Sequence, residues 1–294
     1  MTMRKPAPGV VSIDGVLSPI SEGRIPVLDH GFLFGDNIYE TLRTYNQKPF
    51  LFSRHFERLK RSARAVFMTL PCSREELFEE TLRTIKAAGD ATEHRIRITI
   101  TRGAGDVSPD PESCDAPSVI VFATPLARLP AKIYEEGVKV IVSSFYRSRQ
   151  LGDAKTGNLL RSVLAMREAK AAGAFEAITL TSEGKISDGI TSNICLIQGS
   201  TLLTPSVESG ILEGITRAVV LDLAKRAGLN VVEALLDLGE IDKSSELFLT
   251  SSTRGVVPIV HVAGKPVGTG RPGPATRQLI EAYRAEVDRL LLED

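Results

Sequence analysis

The sequence predicts an α+β chain built as two domains. Three observations carry this. The chain has 294 residues, enough for one large domain or two moderate ones with real cores. Short apolar strands are interspersed with only a few segments of helical periodicity. Thr124 to Lys132, with prolines at 125 and 130, reads as a connection between them. The expected division is a small N-terminal α/β domain over 1–124, a linker over 125–132 and a larger C-terminal domain over 133–294.

Composition removes several classes of function. Thirty-six basic residues balance thirty-six acidic ones, so no electrostatic case exists for nucleic acid or an acidic membrane surface. Cys72, Cys114 and Cys195 are odd in number and widely spaced, which suggests reduced thiols in a cytoplasmic protein and no metal or disulfide pattern. Met1 to Val10 lacks the continuous apolar stretch of a secretory signal. No apolar run approaches the roughly 20 residues of a membrane span.

The N-terminal half reads in order as follows. Val10–Ile13 and Val16–Leu17 flank Asp14-Gly15, the expected two-residue hairpin turn. Ile25 to His30 leads into a loop at Phe34-Gly35-Asp36. Ile38 to Tyr45 alternates like a strand and puts Tyr39, Thr41 and Arg43 on one face. That pattern alone is also that of a half-buried strand with a polar outer face. Arg54 to Phe67 is an amphipathic helix with His55 and Arg58 as neighbours on one face. Ser73 and Glu76 form a capping box for the next helix, which ends near Gly89. Arg95 to Ile100 is a strand with Arg95 and Arg97 on the same face, either solvated or meeting a carboxylate. A Gly/Pro/Asp-rich loop covers Arg102 to Asp115, and Val119–Ala123 is a buried strand.

In the C-terminal half, Val138–Val142 is a strand. Lys155 follows, on a small-residue turn ahead of a helix whose stripe of Leu159, Leu160, Val163 and Leu164 should be buried, closed by Gly173. A lysine there is either a solvated loop residue or one whose lowered pKa suits Schiff-base chemistry. Further strands are expected at Ala177–Thr181, Ile194–Gln198, Val231–Leu235, Glu246–Thr250 and Val256–Val262, with helices at Ile215–Ala227 and Thr276–Leu292.

Six stretches stand in one order: Phe34 to Glu40, His55 to Leu59, Ala154 to Arg161, Lys185 to Ile194, Leu212 to Arg217 and Leu249 to Gly255. This ordered set resembles the fold-type IV pyridoxal-phosphate family, from about Gly15 to about Ile280. Its members include branched-chain aminotransferases, D-amino acid aminotransferases and aminodeoxychorismate lyases. The resemblance implies a barrel-like C-terminal domain, pyridoxal 5'-phosphate as cofactor, and a homodimer in which loops of one subunit complete the other's pocket.

The resemblance also implies roles. Lys155 would carry the cofactor covalently and then act as the base that moves the substrate proton. Arg58 would bind the cofactor phosphate through its planar fork, with His55 structural. Gly214, Ile215 and Thr216 open a helix and, with Ser252, would complete the phosphate cup. Thr253 falls where a backbone N–H meets the substrate carboxylate. Asp188 would face the pyridine nitrogen, although the family pattern is Glu-Gly-x-x-x-Asn and this chain has Asp188-Gly189-Ile190-Thr191-Ser192-Asn193. Aspartate is a methylene shorter, so either the sheet or cofactor shifts or a water bridges the gap; otherwise Asp188 only makes a turn. Ser192 and Asn193 belong to the same cofactor loop, Asn193 organising it.

Phe34, Tyr39, Thr41 and Arg43 would line the substrate pocket, and Arg97 matches an arginine of branched-chain enzymes that also take glutamate. Arg254 stands where relatives have a small residue, as a solvated charge or an additional carboxylate ligand. D-amino acid transaminases of the bacillus type carry an Arg-x-His trap that Val107 to Pro111 lacks. The expected activity is therefore a branched-chain-like transaminase acting on an amino acid and a 2-oxo acid, with no metal. A D-amino acid or (R)-amine transaminase, an aminodeoxychorismate lyase and a non-catalytic binding relative are the alternatives.

Overall fold

The computed structural model describes residues 8–89, 91–146 and 154–292. Of the N-terminal stretch read for a signal, Met1 to Ala7 lie outside the described residues. The described residues form two units, 8–89 and 91–128 with 154–158 and 290–292, and 129–146 with 159–289.

The first unit holds β1 (Val10–Ile13), β2 (Val16–Pro19), α1 (His30–Leu33), β3 (Asn37–Tyr45), β4 (Lys48–Pro49), α2 (Phe52–Ala65), α3 (Arg74–Ala87), β5 (His94–Thr101) and β6 (Ser118–Pro125). Its six strands make one antiparallel sheet in the order β2-β1-β6-β5-β3-β4. Asp14 and Gly15 both take positive φ, the geometry that a tight hairpin needs to match strand twist. Asp29 caps α1, accepting from the Gly31 and Phe32 N–H groups. The Ser73–Glu76 capping box is made in both directions at the start of α3. Leu42, Phe52, Leu59, Leu77, Ile96 and Ile98 form the core against α2 and α3. Each such side chain contributes about 1.5–3 kcal/mol by leaving water.

The second unit holds α4 (Ala131–Glu136), β7 (Val138–Val142), α5 (Leu160–Ala171), β8 (Glu176–Leu180), β9 (Lys185–Gly189), β10 (Asn193–Gln198), β11 (Thr201–Pro205), α6 (Ile215–Arg226), β12 (Asn230–Ala234), β13 (Leu236–Asp237), β14 (Glu246–Ser251), β15 (Gly255–Val262), β16 (Lys265–Pro266) and α7 (Pro274–Leu290). Nine of its strands run β12-β11-β10-β14-β15-β7-β8-β9-β13, with β16 added at β15. The β11–β12, β15–β7 and β7–β8 pairs are parallel. The sheet is barrel-like and nearly closed, β9 also lying against β10 and β11. Ile178, Ile194, Leu196, Leu247 and Ile259 fill its core.

Two expectations need correction. The stripe of the helix after Lys155 is not buried within this chain: Leu160 is 71% and Val163 61% exposed. The helix packs through Ala165 and Ala169 against Ile141, Ala177 and Ile190, because small residues let it approach the strands closely while the large ones point away. The segment 154–158 groups with the first unit, not with the residues that follow it. Its backbone continues the edge of β3: Tyr39 N–H donates to Lys155 O at 2.9 Å and Gly157 N–H to Asn37 O at 2.9 Å, with Thr156 bridging Ile38. A Cβ at 157 would lie 2.2 Å from Asn37 Oδ1, so a larger residue there requires the Asn37 side chain to move.

Candidate active site

In the first unit the site grows from the alternation of β3. Its burial pattern puts Ile38, Glu40 and Leu42 on the core face and Tyr39, Thr41 and Arg43 on the half-buried face. Lys155, also half-buried, is pinned beside it by those backbone bonds and by its own N–H donating to Ser62 Oγ at 3.0 Å. Its ammonium nitrogen stands 4.5 Å from the centre of the Tyr39 ring. Burial pulls the Lys155 pKa below the ordinary lysine value; the nearby Arg58 charge adds to this, while Tyr39 and Glu40 oppose it.

Arg97 lies directly across from Thr41 on β5, hence on the same face. Its guanidinium stacks 3.7 Å over the Tyr39 ring and donates to Thr99 Oγ1 at 3.2 Å. Burial lowers its pKa and Tyr39 opposes the shift. Tyr39 is thus contacted by both cations of the cluster. Arg43 stacks 4.0 Å over Tyr45 and donates to Thr44 O at 3.1 Å. Arg95 is exposed. Phe34 ends α1, its ring meeting His30 edge-on at 4.8 Å. Asp36 takes a two-pronged pair from Arg102 at 2.8 and 3.1 Å, which ties down the Phe34 loop.

Beneath β3, on its core face, Glu40 receives three short bonds. Arg58 Nε and Nη2 donate to its two oxygens at 2.7 Å each, and His55 Nδ1 donates at 2.7 Å. Burial raises the Glu40 pKa, but the Arg58 charge and these bonds overcome it and hold the carboxyl well below the usual range. Burial keeps the His55 pKa below its ordinary value despite Glu40. His55 is therefore structural, as the sequence suggests, and Arg58 is oriented by a glutamate to which sequence reading assigns no role.

In the second unit, Asp188 ends β9 and is buried. Asn193 Nδ2 donates to its Oδ1 at 2.8 Å and the Leu212 N–H to its Oδ2 at 3.0 Å. Asn193 Nδ2 also donates to Leu212 O at 2.7 Å. The Asn193 side-chain amide thus links Asp188 to the backbone at Leu212. Asp188 is more than a turn residue, since both carboxylate oxygens are engaged. Gly214 caps α6 without a side-chain bond, and a Cβ there would lie 1.8 Å from Asn193 Oδ1. Ile215 and Thr216, buried, start α6, so unpaired N–H groups and the positive end of the helix dipole face outward. Ser252 and Thr253 lie in the turn between β14 and β15.

Arg254 is not a solvated charge. Its three nitrogens bind Ser251 Oγ, Glu176 Oε2 and Thr191 Oγ1 at 2.9, 2.7 and 2.8 Å. Ser192 Oγ likewise donates to Glu176 Oε1 at 2.9 Å. Sequence reading misses Glu176 altogether; its one signal is a carboxylate at the head of an apolar strand.

Among the described residues no group of three or more His, Cys, Asp or Glu could hold a metal ion, and no helix is long and apolar enough to cross a membrane. Each unit by itself holds groups of the kinds that suit pyridoxal phosphate: the first a lysine with a depressed pKa and a tethered guanidinium, the second an open helix N-terminus and a buried carboxylate.

The sequence profile of amino-transferase class IV matches residues 37–262. A D-alanine aminotransferase of Listeria monocytogenes serotype 1/2a (strain 10403S) is 32% identical over 95% of this chain and 96% of its own. An aminodeoxychorismate lyase of Bacillus subtilis (strain 168) is 30% identical over 95% and 92%. The branched-chain aminotransferase of the thermophilic archaeon Thermoproteus uzoniensis, solved with norvaline, superposes with a TM-score of 0.87 at 31% identity, covering 95% of this chain and 94% of that one.

Proposed function

Because the chain belongs to the class IV aminotransferase family, we propose that it moves an amino group between an amino acid and a 2-oxo acid, with branched-chain amino acids and glutamate as the favoured donors. The family works with pyridoxal 5'-phosphate. The observation that carries the reading is Lys155, its pKa lowered by burial and its backbone pinned to β3 beside Tyr39. When bound, pyridoxal phosphate supplies an electron sink for the carbon that loses its proton.

Lys155 Nζ would hold the cofactor, and the same amine would serve as the base that takes the proton from the substrate carbon. A depressed pKa keeps more of that amine neutral and basic at neutral pH. By the family resemblance, Arg58 would bind the cofactor phosphate, as would the α6 N-terminus at Gly214 and Ile215 and the hydroxyls of Thr216 and Ser252. Asp188, whose oxygens accept from Asn193 Nδ2 and the Leu212 N–H, would be the carboxylate offered to the ring nitrogen, since a carboxylate oxygen can accept more than one hydrogen bond. The Thr253 N–H orients the substrate carboxylate. Phe34, Tyr39, Thr41 and Arg43 border the side chain, and Arg97 meets the second carboxylate of glutamate. Arg97 already stacks on Tyr39, so its fork is pre-oriented for a planar acid.

A cytoplasmic homodimer is part of the same reading. Its support is the exposed large apolar side chains that each unit carries by itself, Val27 and Phe32 on the first and Leu160 and Val163 on the second. The three cysteines are free thiols.

The test is a single-turnover spectrum series on protein loaded with pyridoxal phosphate. L-leucine and L-glutamate should each discharge the visible cofactor band, and D-alanine should not. Discharge by D-alanine alone would transfer the reading to the D-amino acid group. A band that none of them discharges, with p-aminobenzoate formed without a 2-oxo acid, would transfer it to the lyase.

A further inference from the structure

The second unit contains a buried ion pair that the chemistry above leaves unused. Glu176, the first residue of β8, is fully buried. A carboxylate in such a place is costly unless its lone pairs are taken up. Here they are. Oε1 accepts from the Thr191 N–H at 2.7 Å, from Thr191 Oγ1 at 3.3 Å and from Ser192 Oγ at 2.9 Å. Oε2 accepts from Arg254 Nη1 at 2.7 Å. Arg254 then spreads to the surrounding loops: Nε to Ser251 Oγ at 2.9 Å, Nη2 to Thr191 Oγ1 at 2.8 Å and to Thr191 O at 3.3 Å.

One carboxylate and one guanidinium therefore gather two loops. The first, residues 190–192, joins β9 to β10 and follows Asp188 closely. The second, residues 252–254, joins β14 to β15 and carries Ser252 and Thr253. Strands β10 and β14 are paired up to Asn193 and Thr250, and beyond that pairing the side-chain clasp takes over. Arginine suits the position because its fork reaches three partners in one plane, which a lysine point charge does not.

We propose that Glu176 and Arg254 are positioning residues for the transamination site. The pair sets the spacing of the two loops, so that Ser192, Ser252 and Thr253 meet cofactor and substrate in register. Arg254 acts through Glu176 and does not touch the substrate carboxylate; leaving Glu176 for a substrate would strand a fully buried charge. This rests on the assignment of those loops to the cofactor and substrate made above.

The experiment compares intact wild type with Arg254→Ala, Arg254→Lys, Glu176→Gln and the double variant Glu176→Gln/Arg254→Ala. It measures pyridoxal phosphate affinity by titration of the visible band, together with KM, kcat and the thermal midpoint. Arg254→Ala and Glu176→Gln should each weaken cofactor affinity by about 10-fold and raise KM for amino and oxo substrates alike, since lost hydrogen bonds to charged groups are of that size. The double variant should be no worse than the poorer single one, and Arg254→Lys should recover part of the loss. Should Glu176→Gln fail to fold, the two Arg254 variants carry the comparison. The proposal is overturned if Arg254→Ala raises KM for the amino donor with cofactor affinity intact, because Arg254 is then a substrate ligand. It is also overturned if the variants match wild type while wild type binds cofactor and turns over. A wild type that binds no pyridoxal phosphate overturns the transaminase reading itself, and this proposal with it.

Discussion

The two units bury charge in different ways. Around Lys155 the charged groups sit on regular elements: Glu40 on the core face of β3, His55 and Arg58 a turn apart on α2. Their positions are set by ladder and helix, and the ion pair adds to a core that already exists. Around Asp188 the charged and amide groups hold irregular backbone. Asn193 reaches Leu212 O, Asp188 takes the Leu212 N–H, and Glu176 takes the Thr191 N–H. A charge fixed by strand and helix is chiefly a matter of stability. A charge that gathers loops is chiefly a matter of where the next residues lie.

That contrast can be broken by mutation. The largest effect on stability is expected from Glu40→Gln. It takes the Glu40 charge away from the buried Arg58 guanidinium it pairs with, a loss of about 3–5 kcal/mol, measured by denaturant unfolding. Asn193→Ala should show the opposite balance. Removing one charge-assisted donor from Asp188 should cut kcat/KM by about 10-fold or more, with a smaller loss of stability. A variant pair with these effects reversed would erase the distinction between the clusters.

The smallest expected effect sharpens the comparison through pH. The Glu40 carboxyl is held well below its ordinary value of 4.5 in the folded chain. A depressed acid contributes stability that is fully present above its unfolded pKa and is lost as pH falls toward the folded one. Wild type should therefore lose stability below about pH 4.5 more steeply than Glu40→Gln, whose neutral amide does not titrate. Equal acid slopes in paired unfolding curves would remove Glu40 from the account.

Much of the fold is legible where the signal is local. Asp14-Gly15 marks its hairpin, Ser73 and Glu76 mark a helix start, and the alternation of β3 sorts Glu40 from Tyr39. What is not legible depends on distant partners. The Lys155 segment belongs to the first unit because its backbone pairs with β3, more than a hundred residues earlier, and backbone pairing leaves no period in side chains. Leu160 and Val163 share a helical stripe that reads as core, and the stripe says nothing of whether this chain or another surface covers it. Arg254 finds Glu176 at a separation of 78 residues, so its charge looks unassigned until the sheet brings the two together. The lysine, the helix N-terminus and the carboxylate loop are recognisable as motifs; the side chains that hold them in place are not.

The central claim is that Lys155 carries the cofactor. The most direct measurement is to load the protein with pyridoxal phosphate, reduce it with borohydride so that the bond to lysine becomes permanent, and locate the label by peptide mass. The account predicts about one label per chain, on Lys155, and neither label nor turnover in Lys155→Ala. A label on another lysine, or loading and turnover unchanged in Lys155→Ala, would contradict it.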